Sequence, residues 1–224
     1  MTLATSAAAM GGKLYLDHLT IIAPNLAEGV AHLRNCLDLD LPFGQRHDYM
    51  ATHNHLLQLG GSVYLEIIAL DPAAAPPPWP RWFGLDDQAG IRAAWDAGLR
   101  LRGWVARSTN IAATLASHAT IFGHPLALPP AAPLFDFAQG QEGGLPLGGA
   151  APCIIDRRGK ARNMATIPDL GARLAWLALE HPEPGMVADL YRSMDLDCAP
   201  TVTWAATQRY RAGINTPGDI KILT

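Results

Sequence analysis

YMATHNHLLQLGGSVYLEIIALDP, Tyr49–Pro72, consists of two alternating apolar runs joined through Gly60-Gly61. A Gly-Gly pair readily adopts the positive φ angles of a tight two-residue turn, so the segment reads as a β-hairpin. With Leu59 opposite Ser62, counting outward sets Leu57 opposite Tyr64 and His55 opposite Glu66. Side chains directly opposite in an antiparallel pair share a face. This register puts an imidazole and a carboxylate on one side of a sheet, the start of a metal site or an acid–base pair. His53 falls on the same face, beside Ile68, while Asn54 faces the other way. A bulge near Thr52 would reverse which of these residues point inward.

Upstream, Leu14–Ile22 alternates as a strand, with Leu16, His18, Thr20 and Ile22 on one face and Leu19 and Ile21 on the other. Pro24-Asn25 stops it, and Asn25 is a suitable helix N-cap. Leu26, Val30, Leu33 and Leu37 then fall at helical spacing, and a short strand around Leu41–Arg46 leads into the hairpin. The order is strand, helix, three strands.

Downstream, the pattern recurs. Leu101–Ala106 reads as a strand, and Asn110 opens a helix over IAATLASHATIFG. Leu174–His181 before Pro182 aligns with Val63–Asp71 before Pro72. The segment Pro129–Pro152 is a Pro/Gly-rich insertion, a loop or a hairpin with a long irregular tip. Between the modules lie a stiff connector, Asp71–Pro80, anchored by Trp79, Trp82 and Phe83, and a short helix at Gln88–Ala97. The C-terminal stretch supplies a helix, Met186–Met194, and strands at Thr201–Ala205, Arg209–Ile214 and Ile220–Leu223. The expected fold is α+β: two βαβββ modules, about 14–72 and 100–184, curled into a cup-like mixed sheet. Residues 185–224 extend the same domain, and 1–13 form a flexible tail.

The chain has 224 residues, 49% of them hydrophobic, and a net charge of −3 with no Lys/Arg run. A sizeable core is affordable, and a nucleic-acid partner is disfavoured. No apolar stretch approaches the ~20 residues that span a bilayer. Cys36, Cys153 and Cys198 are few and far apart, which predicts reduced thiols and a cytoplasmic protein without a signal peptide. Phosphate-loop, dinucleotide and nucleophile-elbow motifs are absent from the sequence.

LDHLTIIAPNL, Gly44–His47 (GQRH), Thr52–Gly60 (THNHLLQLG), YLEIIALDP, Cys153–Gly159 (CIIDRRG) and LALEHPEP together resemble glyoxalase-like domain proteins of the vicinal oxygen chelate superfamily. The resemblance covers roughly residues 14–224. It implies a cup holding a divalent metal, with ligands from the first and fourth strands of each module. It also implies a metal-dependent lyase or isomerase acting on a small oxygenated metabolite. Two further functions stay open: a non-catalytic small-molecule binding or sequestering protein, and an extradiol-type dioxygenase. Superfamily members often pair, so a homodimer is the expected assembly.

His18 and Glu66 match the first module's metal positions, with His55 or His47 completing a set suited to Zn, Mn, Ni or Fe. In the second module Gly103 or Trp104 aligns with His18, and Trp176 with Glu66; none of these can ligate. Either local residues complete the site or it works without a catalytic metal. Trp104 and Trp176 would then form an apolar wall. Arg46 and His47 could hold an anionic substrate group, or simply solvate a turn. Thr52 and Asn54 belong to the matching pattern, Asn54 as a candidate substrate contact. His55 and His181 are the candidate proton-transfer groups. His32, His118 and His124 read as structural, and Asp156-Arg157-Arg158 as a solvated turn.

Overall fold

Residues 13–224 are described by the computed structural model; of the expected N-terminal tail, only Lys13 falls inside that range. Asn25 ends β1 (Leu14–Ile22) and caps α1 (Leu26–Leu37), its Oδ1 accepting the Glu28 N–H at 2.9 Å. Leu33 and Leu37 bury the helix's apolar stripe. Gly29 brings the helix backbone against the Ile67 side chain, so close that a Cβ would overlap it. β2 (Phe43–His47), β3 (Thr52–Gln58) and β4 (Tyr64–Leu70) complete the first module. After α2 (Gln88–Asp96), Asn110 caps the second module's helix with the same chemistry, accepting the Ala113 N–H at 3.1 Å. That module comprises β5 (Leu101–Ser108), α3 (Ile111–Ser117), α4 (Ala119–Phe122), β6 (His124–Leu128), β7 (Phe135–Gln139) and β8 (Cys153–Asp156).

These eight strands form one curled sheet in the order β2-β3-β4-β1-β5-β8-β7-β6. β1 pairs in parallel with β4, β5 in parallel with β8, and β1 with β5 antiparallel across the middle. The two halves are therefore equivalent about the β1–β5 seam. On the concave side, Ile22, Ile68, Val105, Phe137, Cys153 and Ile155 cluster with Trp82 and Phe83. On the convex side, Leu19, Leu65 and Trp104 join α1 and a second sheet.

That second sheet, β10-β9-β11-β12, consists of β9 (Arg173–His181), β10 (Thr201–Trp204), β11 (Arg209–Asn215) and β12 (Ile220–Leu223), with α5 (Pro184–Ser193) between β9 and β10. Its Leu177, Leu179, Tyr210, Ala212 and Leu223 pack into the convex core. The expected repeat thus closes at β8, not at Leu174–His181. The CIID strand is apolar enough to be buried on both faces, as a parallel strand inside a covered sheet must be. β9 is half-exposed and alternating, which suits a peripheral sheet.

Two register details differ from the sequence reading. Leu59 N–H donates to Val63 O at 2.9 Å, so the hairpin loop is Gly60-Gly61-Ser62, three residues long. Gly60 and Gly61 both take positive φ, 96° and 56°. The one-residue shift places Leu56, not His55, opposite Glu66, and turns Thr52, Asn54 and Leu56 toward the concave face. In β1, the pairs Leu16–Ala106 and His18–Val105 leave Asp17 as an extra, bulged residue. Leu16 therefore joins the convex core, while Asp17 comes alongside the His18 ring.

Candidate functional site

His18 from β1 and Glu66 from β4 sit deep in the cup, with His18 Nε2 3.3 Å from Glu66 Oε2. The bulged Asp17 reaches the other ring nitrogen, Nδ1, at 2.7 Å. The imidazole is thus flanked by two carboxylates, and Tyr64 stacks on its face at 4.5 Å. Arg157, just past β8, clamps Asp17 in bidentate fashion: Nε donates to Oδ2 at 2.9 Å and Nη2 to Oδ1 at 2.5 Å. Arg157 Nη2 also donates to the Tyr64 hydroxyl at 3.1 Å. Asn54 Nδ2 donates to Glu66 Oε1 at 2.6 Å, and its Oδ1 accepts the Gln45 backbone N–H at 2.9 Å. Gln45 Nε2 in turn donates to His47 Nε2 at 2.7 Å.

Burial opposes charge on every one of these groups, yet the network reverses its effect for three of them. Burial alone would raise Asp17, but the Arg157 and His18 hydrogen bonds hold it well below the usual carboxylate range. Burial alone would lower His18, but Asp17 and Glu66 raise it. Burial would raise Glu66, but His18, His47 and Asn54 hold it at about 2. His47 lacks such a partner, and burial depresses it to about 4. The centre is therefore a histidine held between two carboxylates that favour its charged form, beside a histidine that burial favours in its neutral form.

The remaining walls are apolar. Trp82, Phe83, Phe135, Phe137 and Ile155 line the same cavity, whose free space is about 40 Å³. Trp82 meets His47 edge-on at 5.1 Å and Phe137 at 5.5 Å. Phe83 adopts φ 58°, an unfavourable region for a non-glycine residue, and packs on Phe137. The segment after Arg157 closes over the cup. Arg162 lies 4.7 Å above the Tyr64 ring, Gln58 Nε2 donates to the Met164 and Ile167 carbonyls, and Ile167 packs with Leu56 and Tyr64.

His18, Glu66, His47 and Asn54 thus converge. The other sequence candidates lie elsewhere. His55 points to the opposite face, its Nδ1 2.9 Å from Leu41 O, as the register shift requires. Arg46 is on the surface, paired with Asp71 at 2.8 Å. Trp104 faces the convex core and donates to the Tyr210 hydroxyl at 3.1 Å. Trp176 lies over Gly213 on the second sheet, far from any concave wall. His181 ends β9, where its Nδ1 accepts the Glu183 N–H before α5. Asp17, Gln45, Tyr64, Arg157 and Arg162 were not among the sequence candidates. An aspartate beside a histidine within an apolar strand was the available signal for the first.

The divalent metal implied by the resemblance does not fit this donor set. Among the described residues, His, Cys, Asp and Glu side chains nowhere converge in a group of three that could hold an ion. His18 and Glu66 supply two donors. The second module's concave positions carry Val105, Phe137 and Ile155, and the neighbouring charge is the Arg157 cation.

Among solved structures, a hypothetical protein from Staphylococcus aureus superposes with a TM-score of 0.59 at 9% identity, covering 94% of this chain and 98% of that one. A methylmalonyl-CoA epimerase from Mycobacterium tuberculosis gives a TM-score of 0.38 at 14% identity, covering 69% of this chain and 91% of that one. No curated protein matches the sequence. The first structure shares the fold over nearly the whole chain, including the second sheet's share of the length. Residues 16–194 match the glyoxalase-like domain, a span that takes in the entire cup from His18 to Arg162. On that match, and on two βαβββ halves joined at the β1–β5 seam, the chain belongs to the glyoxalase-like domain family of the vicinal oxygen chelate superfamily.

Proposed function

We propose that the cup catalyses proton transfer at a carbon next to a carbonyl in a small oxygenated metabolite, an isomerase-type reaction run by side chains alone. The observation that carries this reading is the buried His18–Glu66 pair at 3.3 Å, with Asp17 behind the histidine. In the resting site Glu66 is a weak base because His18 donates to it. A substrate carbonyl oxygen that takes over the His18 Nε2–H removes that hydrogen bond. Burial then raises the basicity of Glu66 just as a carbon acid arrives. Glu66 accepts the proton from carbon, the electron pair moves onto the carbonyl oxygen, and His18 stabilises the enolate by hydrogen bonding. With a 2-hydroxy carbonyl substrate, His18 gives its proton to the enolate oxygen and takes one from the adjacent hydroxyl, while Glu66 returns the carbon-derived proton to the former carbonyl carbon, which completes the isomerisation. Asp17, held by Arg157, keeps the imidazole oriented and charged.

The test is NMR-detected solvent deuterium incorporation into a panel of small 2-oxo and 2-hydroxy carbonyl compounds. Incorporation by the native protein, lost in E66Q and H18N, supports the reading. Absence of catalysed exchange across the panel, or exchange retained in E66Q, overturns it. The second reading, binding without chemistry, rests on the apolar half formed by Phe137, Ile155 and Val105. It predicts saturable binding with no exchange.

A further inference from the structure

Two guanidinium groups line the cup, and they differ in one respect. Arg157 commits its Nε and Nη2 to Asp17 and the Tyr64 hydroxyl. Arg162 forms neither an ion pair nor a hydrogen bond with any described residue, and its Nε is buried without a partner. Trp82 Nε1, in the wall of the same cavity, is a second buried donor without an acceptor. The cavity's carboxylate, Glu66, is already occupied by His18 and Asn54. Asp17 is already matched by Arg157, with Arg107 3.8 Å away, so neither buried carboxylate of the cup is free to pair with Arg162. A buried donor without an acceptor costs about 1–3 kcal/mol, and native proteins rarely keep one without a use.

From this surplus of donors we infer that the site is built for a carboxylate-bearing substrate, a compact oxo acid, whose carboxylate is bound by Arg162 while its carbonyl faces His18. Only the placement of the carbonyl at His18 rests on the proton-transfer reading. A planar guanidinium matches a carboxylate in two parallel hydrogen bonds, and Arg162 Cζ rests 4.7 Å from the Tyr64 ring centroid. The free space of about 40 Å³ is small, so bulky carriers would need rearrangement of the 157–167 segment. Binding would give Arg162 its missing counter-charge.

Pyruvate and pyruvamide are nearly isosteric and differ in charge, so they serve as the paired probes. Ligand-observed NMR titration of the full-length protein should show pyruvate binding about tenfold or more tightly than pyruvamide, the scale of one charge-assisted contact. R162Q should abolish that preference by weakening pyruvate alone, and R162K should keep part of it. Arg162 is a partly exposed loop residue, and an unchanged melting temperature in R162Q confirms that the fold survives. Equal affinity for the two probes, or an R162Q variant that keeps the preference, overturns the proposal. Inorganic phosphate competing as well as pyruvate also overturns it, since that marks a general anion site. The two readings fail separately: preference for pyruvate without deuterium exchange leaves the carboxylate site standing and removes the proton transfer.

Discussion

Replacing Arg157 with methionine is predicted to be among the costliest single changes to this protein. The Asp17 side chain is 1% exposed and that of Arg157 11%, so their two hydrogen bonds are almost wholly desolvated. Methionine fills much of the same volume but leaves the carboxylate buried without its clamp. Breaking such a pair from one side costs about 3–5 kcal/mol. His18 Nδ1 at 2.7 Å and Arg107 at 3.8 Å remain to compensate, so the lower end, about 3 kcal/mol, applies. For a chain of this size that corresponds to a fall in melting temperature of about 6–12 °C. Differential scanning calorimetry or urea unfolding reads it directly. Asp17 is held below its ordinary value of 3.8 by the pair, so the pair's contribution is present above that pH and lost on acidification. The gap between native and R157M should therefore be widest at neutral pH and narrow below about pH 4. D17N/R157M should recover much of the loss. A fall of under about 2 °C, or a gap independent of pH, would refute the reasoning.

Three further outcomes follow from other parts of the molecule. His32 is held neutral by burial and by Arg100, so its folded pKa lies below 6.5; the unfolded chain takes up a proton first as pH falls. Stability measured by urea midpoint should decline from pH 7.5 toward 5.5, by less in H32Q, and an unchanged slope counts against this. Cys198 is exposed, Cys36 intermediate, and burial pushes the Cys153 thiol up to about 12. A thiol reagent should titrate one cysteine quickly in the native protein and Cys153 only in denaturant; fast labelling of Cys153 would contradict the packing. A Cβ at Gly44 would overlap Asn54 Oδ1, whereas one at Gly185 meets nothing within 4 Å. G44A should cost about 2 kcal/mol by displacing Asn54 from Gln45 and Glu66, and G185A close to nothing; equal effects would break the comparison.

The elements most legible in the sequence were those governed by local chemistry. Asn25 and Asn110 announce their helices because capping is a short-range preference, and the α1 stripe follows from its periodicity. The α+β fold and its paired modules were legible for the same reason. Register was not, because it turned on whether the Gly60-Gly61 turn held two residues or three, and that choice decides which face every residue of β3 takes. The bulge at Asp17 left no local signature beyond an acidic residue in an apolar strand. Arg157 read as a solvated turn because its partner lies 140 residues away in sequence. The end of the second repeat was misplaced because β9 mimics a closing strand while serving another sheet.

Asn54 has a consequence for the stereochemistry of anything the cup does. Its Oδ1 is pinned by the Gln45 N–H, so the amide cannot flip, and Nδ2 occupies Glu66 Oε1. Only Oε2, which His18 holds in the resting site and would release on turning to a substrate carbonyl, can take a substrate proton. The facing walls, Phe137 and Ile155, offer no second base. Under the proposed proton transfer, a proton would leave and return on the same side of the substrate plane. The cup would then shuttle hydrogen along one face of a molecule, and inversion at a single carbon would require a base that these walls do not supply.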